Sequence, residues 1–118
     1  MNLDSKIRKL SSDITDCQTI LTALGDESRQ HIILEMLKVK NCSGARVGEI
    51  ASCTSLSRPA VSHHLQILKK AGILKVRKEG TMNFYYFAAD MKSFGQLIHM
   101  LTDAQEIMLQ LPNRSGDD

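Results

Sequence analysis

Residues 57–80 read SRPAVSHHLQILKKAGILKVRKEG, and the stretch decides the fold because its hydrophobic period changes at a glycine. Ser57 is a good helix N-cap, and Pro59 falls in the first turn, where a missing N–H costs little. Val61, Leu65 and Leu68 then recur on one helical face until Ala71-Gly72 closes the helix. From Ile73 to Lys78 apolar and basic residues alternate, and Met82 to Phe87 is rich in aromatics, with Glu79-Gly80 between them as turn residues. That pattern predicts a β-hairpin.

Working upstream, Thr54-Ser55-Leu56 reads as a turn and Val47 to Cys53, with Val47, Ile50 and Ala51 apolar, as a short helix. Asn41-Cys42-Ser43-Gly44 is a loop by composition. A helix is expected from about Glu27 to Lys38, capped by Asp26 or Ser28, with Ile32, Ile33, Met36 and Leu37 as its buried stripe. Leu3, Ile7, Leu10, Ile14, Cys17, Leu21 and Leu24 are spaced alternately four and three apart, the mark of a helical seam ending at Gly25, with a break near Thr15. Downstream, Phe94, Leu97, Ile98, Leu101, Ala104, Met108 and Leu111 return to helical spacing until Pro112. The expected architecture is mainly α with a small β-hairpin: a winged helix-turn-helix in one domain over residues 1–112, followed by a disordered tail at 113–118.

The composition fits that size. The chain has 118 residues, 42% hydrophobic and 24% charged, enough for one core. No apolar run is long enough to span a bilayer and the first residues lack the apolar segment of a signal peptide, so a cytoplasmic location is expected. Three cysteines, Cys17, Cys42 and Cys53, suit reduced thiols better than a disulfide framework. The net charge is only +2, but six basic residues face the single acid Glu79 between Ser57 and Gly80, a local +5 that leaves −3 for the rest. A compact basic segment on an acidic body is an electrostatic footprint for phosphate.

On the helix opened by Ser57, about 100° per residue turns Arg58, Ser62, His63, Gln66, Lys69 and Lys70 away from the apolar face. Arg58, Ser62, His63 and Gln66 suit hydrogen bonds to base edges, whereas Lys69 and Lys70 lie further back, where phosphate contact fits. Lys75, Arg77 and Lys78 on the hairpin are expected to hold the backbone of double-stranded DNA.

The segments Ala23-Leu24-Gly25-Asp26-Glu27-Ser28-Arg29, Ser57 to Leu65, Leu68-Lys69-Lys70-Ala71-Gly72-Ile73-Leu74 and Arg77-Lys78-Glu79-Gly80 resemble the arsenic-repressor (ArsR/SmtB) family of bacterial regulators. The resemblance spans about Leu21 to Ala88. It implies a homodimer built on the first and last helices, which here bear Leu3, Ile7, Leu10, Phe94, Ile98, Leu101 and Met108. It further implies a repressor on a palindromic operator, released when an effector binds. Two departures bear on the effector. Where metal-sensing relatives carry Cys-x-Cys, this chain has Arg46-Val47-Gly48, with no thiolate pair for a soft ion. The zinc register of the last helix reads Asp90, Lys92, Asp103 and Glu106, in which an ammonium replaces one imidazole. No metal or other cofactor is therefore expected, and Lys92, Asp103 and Glu106 are expected to form salt bridges between subunits. Thr81 stands where relatives often place a further arginine.

The remaining candidates have plainer readings. His63 and His64 are neighbours on a helix and do not converge on one ion. His64 is expected to pack against the turn with one ring nitrogen bonded, and His99 to be a satisfied interface histidine. Cys17 and Cys53 read as small hydrophobes, which leaves Cys42, in a lysine-flanked loop, as the candidate for a reactive thiolate. No Ser-x-x-Lys, His-Glu-x-x-His, phosphate loop or paired-carboxylate signature occurs, so catalysis is not expected. Two alternatives stay open: a thiol-based redox-sensing repressor, and a winged-helix module that binds a protein and no DNA.

Overall fold

The computed structural model describes residues 2–39 and 44–112. Its elements are α1 (Leu3–Asp16), α2 (Gln18–Leu24), α3 (Glu27–Lys38), α4 (Val47–Ser52), α5 (Arg58–Lys70), β1 (Leu74–Glu79), β2 (Met82–Phe87) and α6 (Lys92–Gln110). Cys42 and residues 113–118, with what the sequence suggested for each, lie outside the described residues.

Local chemistry accounts for most boundaries. Asn2 Oδ1 accepts the Ser5 N–H at 2.8 Å to open α1, Asp26 Oδ1 accepts the Arg29 N–H at 3.0 Å to open α3, and Ser57 Oγ accepts the Ala60 N–H at 3.2 Å to open α5. At the other end of α5, Gly72 takes a φ of +80°. Its N–H donates to the Lys69 carbonyl and that of Ile73 to the Leu68 carbonyl, so two otherwise orphaned carbonyls are satisfied. A Cβ at Gly72 would also crowd the Ser93 hydroxyl, which would have to rotate away.

The strands pair antiparallel from Leu74 with Phe87 to Glu79 with Met82. The two turn residues are therefore Gly80 and Thr81, one position later than expected, with Gly80 at φ +63°. Ala45 adds a bridge to Tyr85, with N–H to carbonyl distances of 2.8 Å in both directions, and so pins the start of α4 to the wing.

The core corrects the stripes in three places. The helical break expected near Thr15 falls just past it, at Cys17, and the Thr15 hydroxyl bonds back to the Ser11 carbonyl at 3.1 Å inside the helix. The break resets the phase, so α2 buries Ile20 and Ala23 while Leu21 and Leu24 are only half-buried. On α3, Ile32 and Met36 are buried as expected, but Leu37 is exposed and Arg29 is buried in its stead. Helix α6 has two apolar faces: Leu97, Met100 and Ile107 enter the core, whereas Ile98, Leu101 and Met108 stand 62%, 52% and 68% exposed. Ile7 on α1 is exposed too, and Leu3, Leu10 and Phe94 are half-buried. No helix among the described residues is long and apolar enough to cross a membrane.

Candidate nucleic-acid interface

Helices α4 and α5 flank the Thr54-Ser55-Leu56 turn, and α5 buries Val61, Leu65 and Leu68. Burying that face fixes the opposite one in water. Ser57, Arg58, His63, Gln66, Lys69 and Lys70 are exposed and Ser62 is half-buried, as helical spacing requires. Lys69 and Lys70 occupy the last turn, where their charge also complements the helix dipole.

Several of these side chains have partners that spacing alone did not give. The Gln66 amide donates to the Tyr85 hydroxyl at 2.8 Å, so it ties α5 to β2 and one of its two N–H groups is taken. Arg58 leans back over α4, where a Cβ on Gly48 would lie 2.9 Å from its guanidinium. There it lines an open cleft of about 520 Å³ with Arg46, Gly48, Thr81 and Asn83, whose Oδ1 is buried without a partner among the described residues. Arg46 brings a second exposed guanidinium to this cleft, and the sequence reading did not select it.

On the wing, Arg77 donates to Glu79 at 3.1 Å and its guanidinium sits 4.9 Å above the Phe84 ring, its cross-strand partner. Strand alternation sets Lys78 on the opposite face of the hairpin from Lys75 and Arg77, so the three basic residues do not form one surface.

His63 and His64 have ring centroids 5.6 Å apart at a tilt of 57°. His63 faces solvent, whereas one ring nitrogen of His64 is bonded as expected, its Nδ1 lying 3.1 Å from Arg29 Nη1 on α3. Arg29 itself was overlooked, since an arginine in the first turns of a helix reads as solvated.

Within one chain, the last helix makes its ion pairs chiefly with α1. Asp103 is 3.5 Å from Lys9 on α1 and 3.2 Å from His99, and Lys9 also reaches Asp13 at 3.0 Å. Lys92 and Glu106 are in no ion pair among the described residues; Asp90 caps the backbone N–H of Lys92 at 3.2 Å. Asp13, His99 and Asp103 offer ligand atoms within 4.8 Å of one another, yet the Lys9 ammonium lies among them and is itself a cation. Hydrogen bonding to Asp13 raises the Lys9 pKa above its ordinary value, which keeps that charge in place. Cys17 is buried at the α1–α2 break, while Cys53 is exposed and so is not the packed hydrophobe expected.

These elements define a winged helix-turn-helix regulator. The signature of bacterial regulatory proteins of the arsR family matches residues 26–76. An uncharacterized HTH-type transcriptional regulator from Methanocaldococcus jannaschii is 45% identical over 76 residues, covering 60% of this chain and 76% of that protein. The transcriptional repressor SdpR of Bacillus subtilis is 29% identical over 99 residues, covering 84% and 96%. The transcriptional activator HlyU of Vibrio cholerae is 28% identical over 96 residues, covering 80% and 85%. A solved HlyU structure superposes with a TM-score of 0.54 at 30% identity, covering 77% of this chain and 92% of the other. The chain belongs to the arsR family and is a DNA-binding transcriptional regulator.

Proposed function

We propose that residues 1–112 work as one unit, a homodimer that represses transcription by occupying a palindromic operator and leaves it when an effector binds. The observation that carries this reading is the pairing of two unlike exposed surfaces on one small fold. One is the polar face of α5 beside a basic wing. The other is the apolar stripe of Ile7, Ile98, Leu101 and Met108 on α1 and α6. Burying the stripe against a second copy removes it from water and sets two reading helices at a fixed spacing, as a two-fold operator requires.

Within the site, Arg58 and His63 read base edges, with Ser57 and Ser62 beside them. Lys69, Lys70, Lys75 and Lys78 meet phosphates, and Arg77 combines a phosphate role with support of the wing through Phe84. SdpR supports repression, and HlyU is the relative whose role runs the other way. The test begins with selection of bound duplexes from a random pool, repeated with zinc, cadmium, arsenite and peroxide. Transcription in vitro from a template carrying the selected site then gives the direction. The expected result is a two-fold sequence and falling transcript with added protein; a rising transcript would overturn repression. Zinc is expected to leave binding unchanged, because the Lys9 ammonium already occupies the Asp13, His99 and Asp103 cluster.

A further inference from the structure

Arg29 is a buried charge, 7% exposed. A buried guanidinium is tolerated only when its N–H groups find acceptors. Its Nε donates to the Ala23 carbonyl at 2.8 Å and its Nη2 to the Thr22 carbonyl at 3.0 Å, two carbonyls orphaned at the end of α2. The third contact leaves this frame and crosses to the reading helix, from Nη1 to His64 Nδ1 at 3.1 Å. An arginine has no lone pair to offer and stays protonated, so the imidazole must be the acceptor. His64 Nδ1 is therefore bare and its proton sits on Nε2. The contact exists only while His64 is neutral, since a second proton would set two cations face to face.

We propose that Arg29 is a positioning residue for DNA binding, seating α5 on the α2–α3 frame through neutral His64, so that duplex affinity follows the protonation of His64. The inference rests on α5 being the helix that meets DNA. The charged and titratable groups set against His64 are Arg29 and Asp26 from the α2–α3 junction and His63 on its own helix. Asp26 lies 3.9 Å from Arg29, and the Arg29 backbone N–H holds its carboxyl below the usual carboxylate range. It stays ionised throughout the interval in which imidazoles titrate and does not contribute to the change. His63 acts with the opposite sign, because its protonation on the DNA face favours phosphate. The two adjacent histidines thus oppose one another: acid strengthens the pull of His63 and loosens the seat of the helix that carries it.

The test uses a duplex selected from a random pool and compares wild type with His64→Gln at fixed salt, at about pH 8 and about pH 5.5. Glutamine offers Arg29 an amide oxygen at both values. The ratio of the acid to the alkaline Kd is expected to be about tenfold larger in wild type than in His64→Gln, the size of one hydrogen bond to a charged group. Equal ratios would overturn the proposal. Wild type that binds no duplex at either pH would instead remove the DNA-binding reading beneath it, and the proposal with it. Should His64→Gln fail to fold, nitrogen-15 spectra of wild-type His64 still decide. A proton on Nε2 at alkaline pH supports the contact, and a proton on Nδ1 excludes it.

Discussion

Helices α5 and α6 are both amphipathic and both lean one face on the same core, yet their outer faces are opposites. That of α5 carries Arg58, His63, Lys69 and Lys70, and that of α6 carries Ile98, Leu101, Met108 and Leu109. A polar face in water is at rest, and its charges hold counterions that a phosphate backbone can displace. An apolar face of several adjacent side chains is unfavourable until something covers it. One helix is thus complete and waits for a ligand, while the other is incomplete until a partner arrives. Under the proposed function the order of events follows from this difference: association of two copies through α1 and α6 would come first, and reading by two α5 helices would depend on it.

The sharpest way to break the contrast is to make α6 resemble α5. Replacing Leu101 and Met108 together by glutamate would set like charges against each other in the proposed dimer seam. Sedimentation at micromolar protein should then report a monomer. Duplex affinity should fall about a hundredfold or more, because the second half-site is no longer tethered to the first. A double variant that still sediments as a dimer would show that another surface joins the copies.

Within the polar half, reader and clamp should separate. Arg58→Ala is expected to lose about 1–3 kcal/mol of discrimination at one base pair and so relax the selected sequence. Lys78→Ala is expected to weaken selected and random duplexes equally and to lower the salt slope by about one. If Lys78→Ala changes the preferred sequence while Arg58→Ala changes only overall affinity, the two roles are reversed.

A smaller effect concerns the joint between helix and wing. Tyr85→Phe removes the hydroxyl that receives the Gln66 amide and should cost about 1 kcal/mol in urea unfolding. Gln66→Ala combined with it should cost little more than either change alone, because the pair loses one shared bond. Additive costs would mean that the two side chains are not coupled.

The smallest expected effect is the acid response of the α3 cap. The Asp26 carboxyl is held below its ordinary pKa of 3.8, first by the Arg29 N–H. A lowered folded-state pKa gives stability that is present above the unfolded value and lost as pH falls through the lowered one. The difference in Tm between wild type and Asp26→Asn should therefore be flat above about pH 5 and shrink below it. A difference that persists unchanged in acid would remove the ionised carboxylate from the cap.

The regions where the sequence was legible are those governed by neighbours in the chain. Ser57, Pro59 and the Ala71-Gly72 stop mark α5 to the residue, because caps act over three or four positions. Alternation marks the hairpin, and only its turn slipped by one, since Glu79-Gly80 and Gly80-Thr81 both place a glycine in a two-residue loop. Helical period alone did not reveal that the first seam is cut at Cys17, or that Met100 and Ile107 enter the core. A stripe broad enough to serve both a core and a partner carries no label saying which residues face which.

The amino-acid sequence by itself determined the element types, the polar face of α5, the basic wing and membership of the arsR family. These depend on backbone preferences and periodicities that each segment expresses alone. Only the tertiary structure decided that Gln66 is held by Tyr85, 19 residues away, and that Arg29 bonds His64 across 35 residues. It also decided that Lys9 lies among Asp13, His99 and Asp103. Such contacts are made by side chains whose exposed and buried states differ by a few hydrogen bonds. Their choice is settled by what the packed helices bring within about 3 Å, the reach of a hydrogen bond.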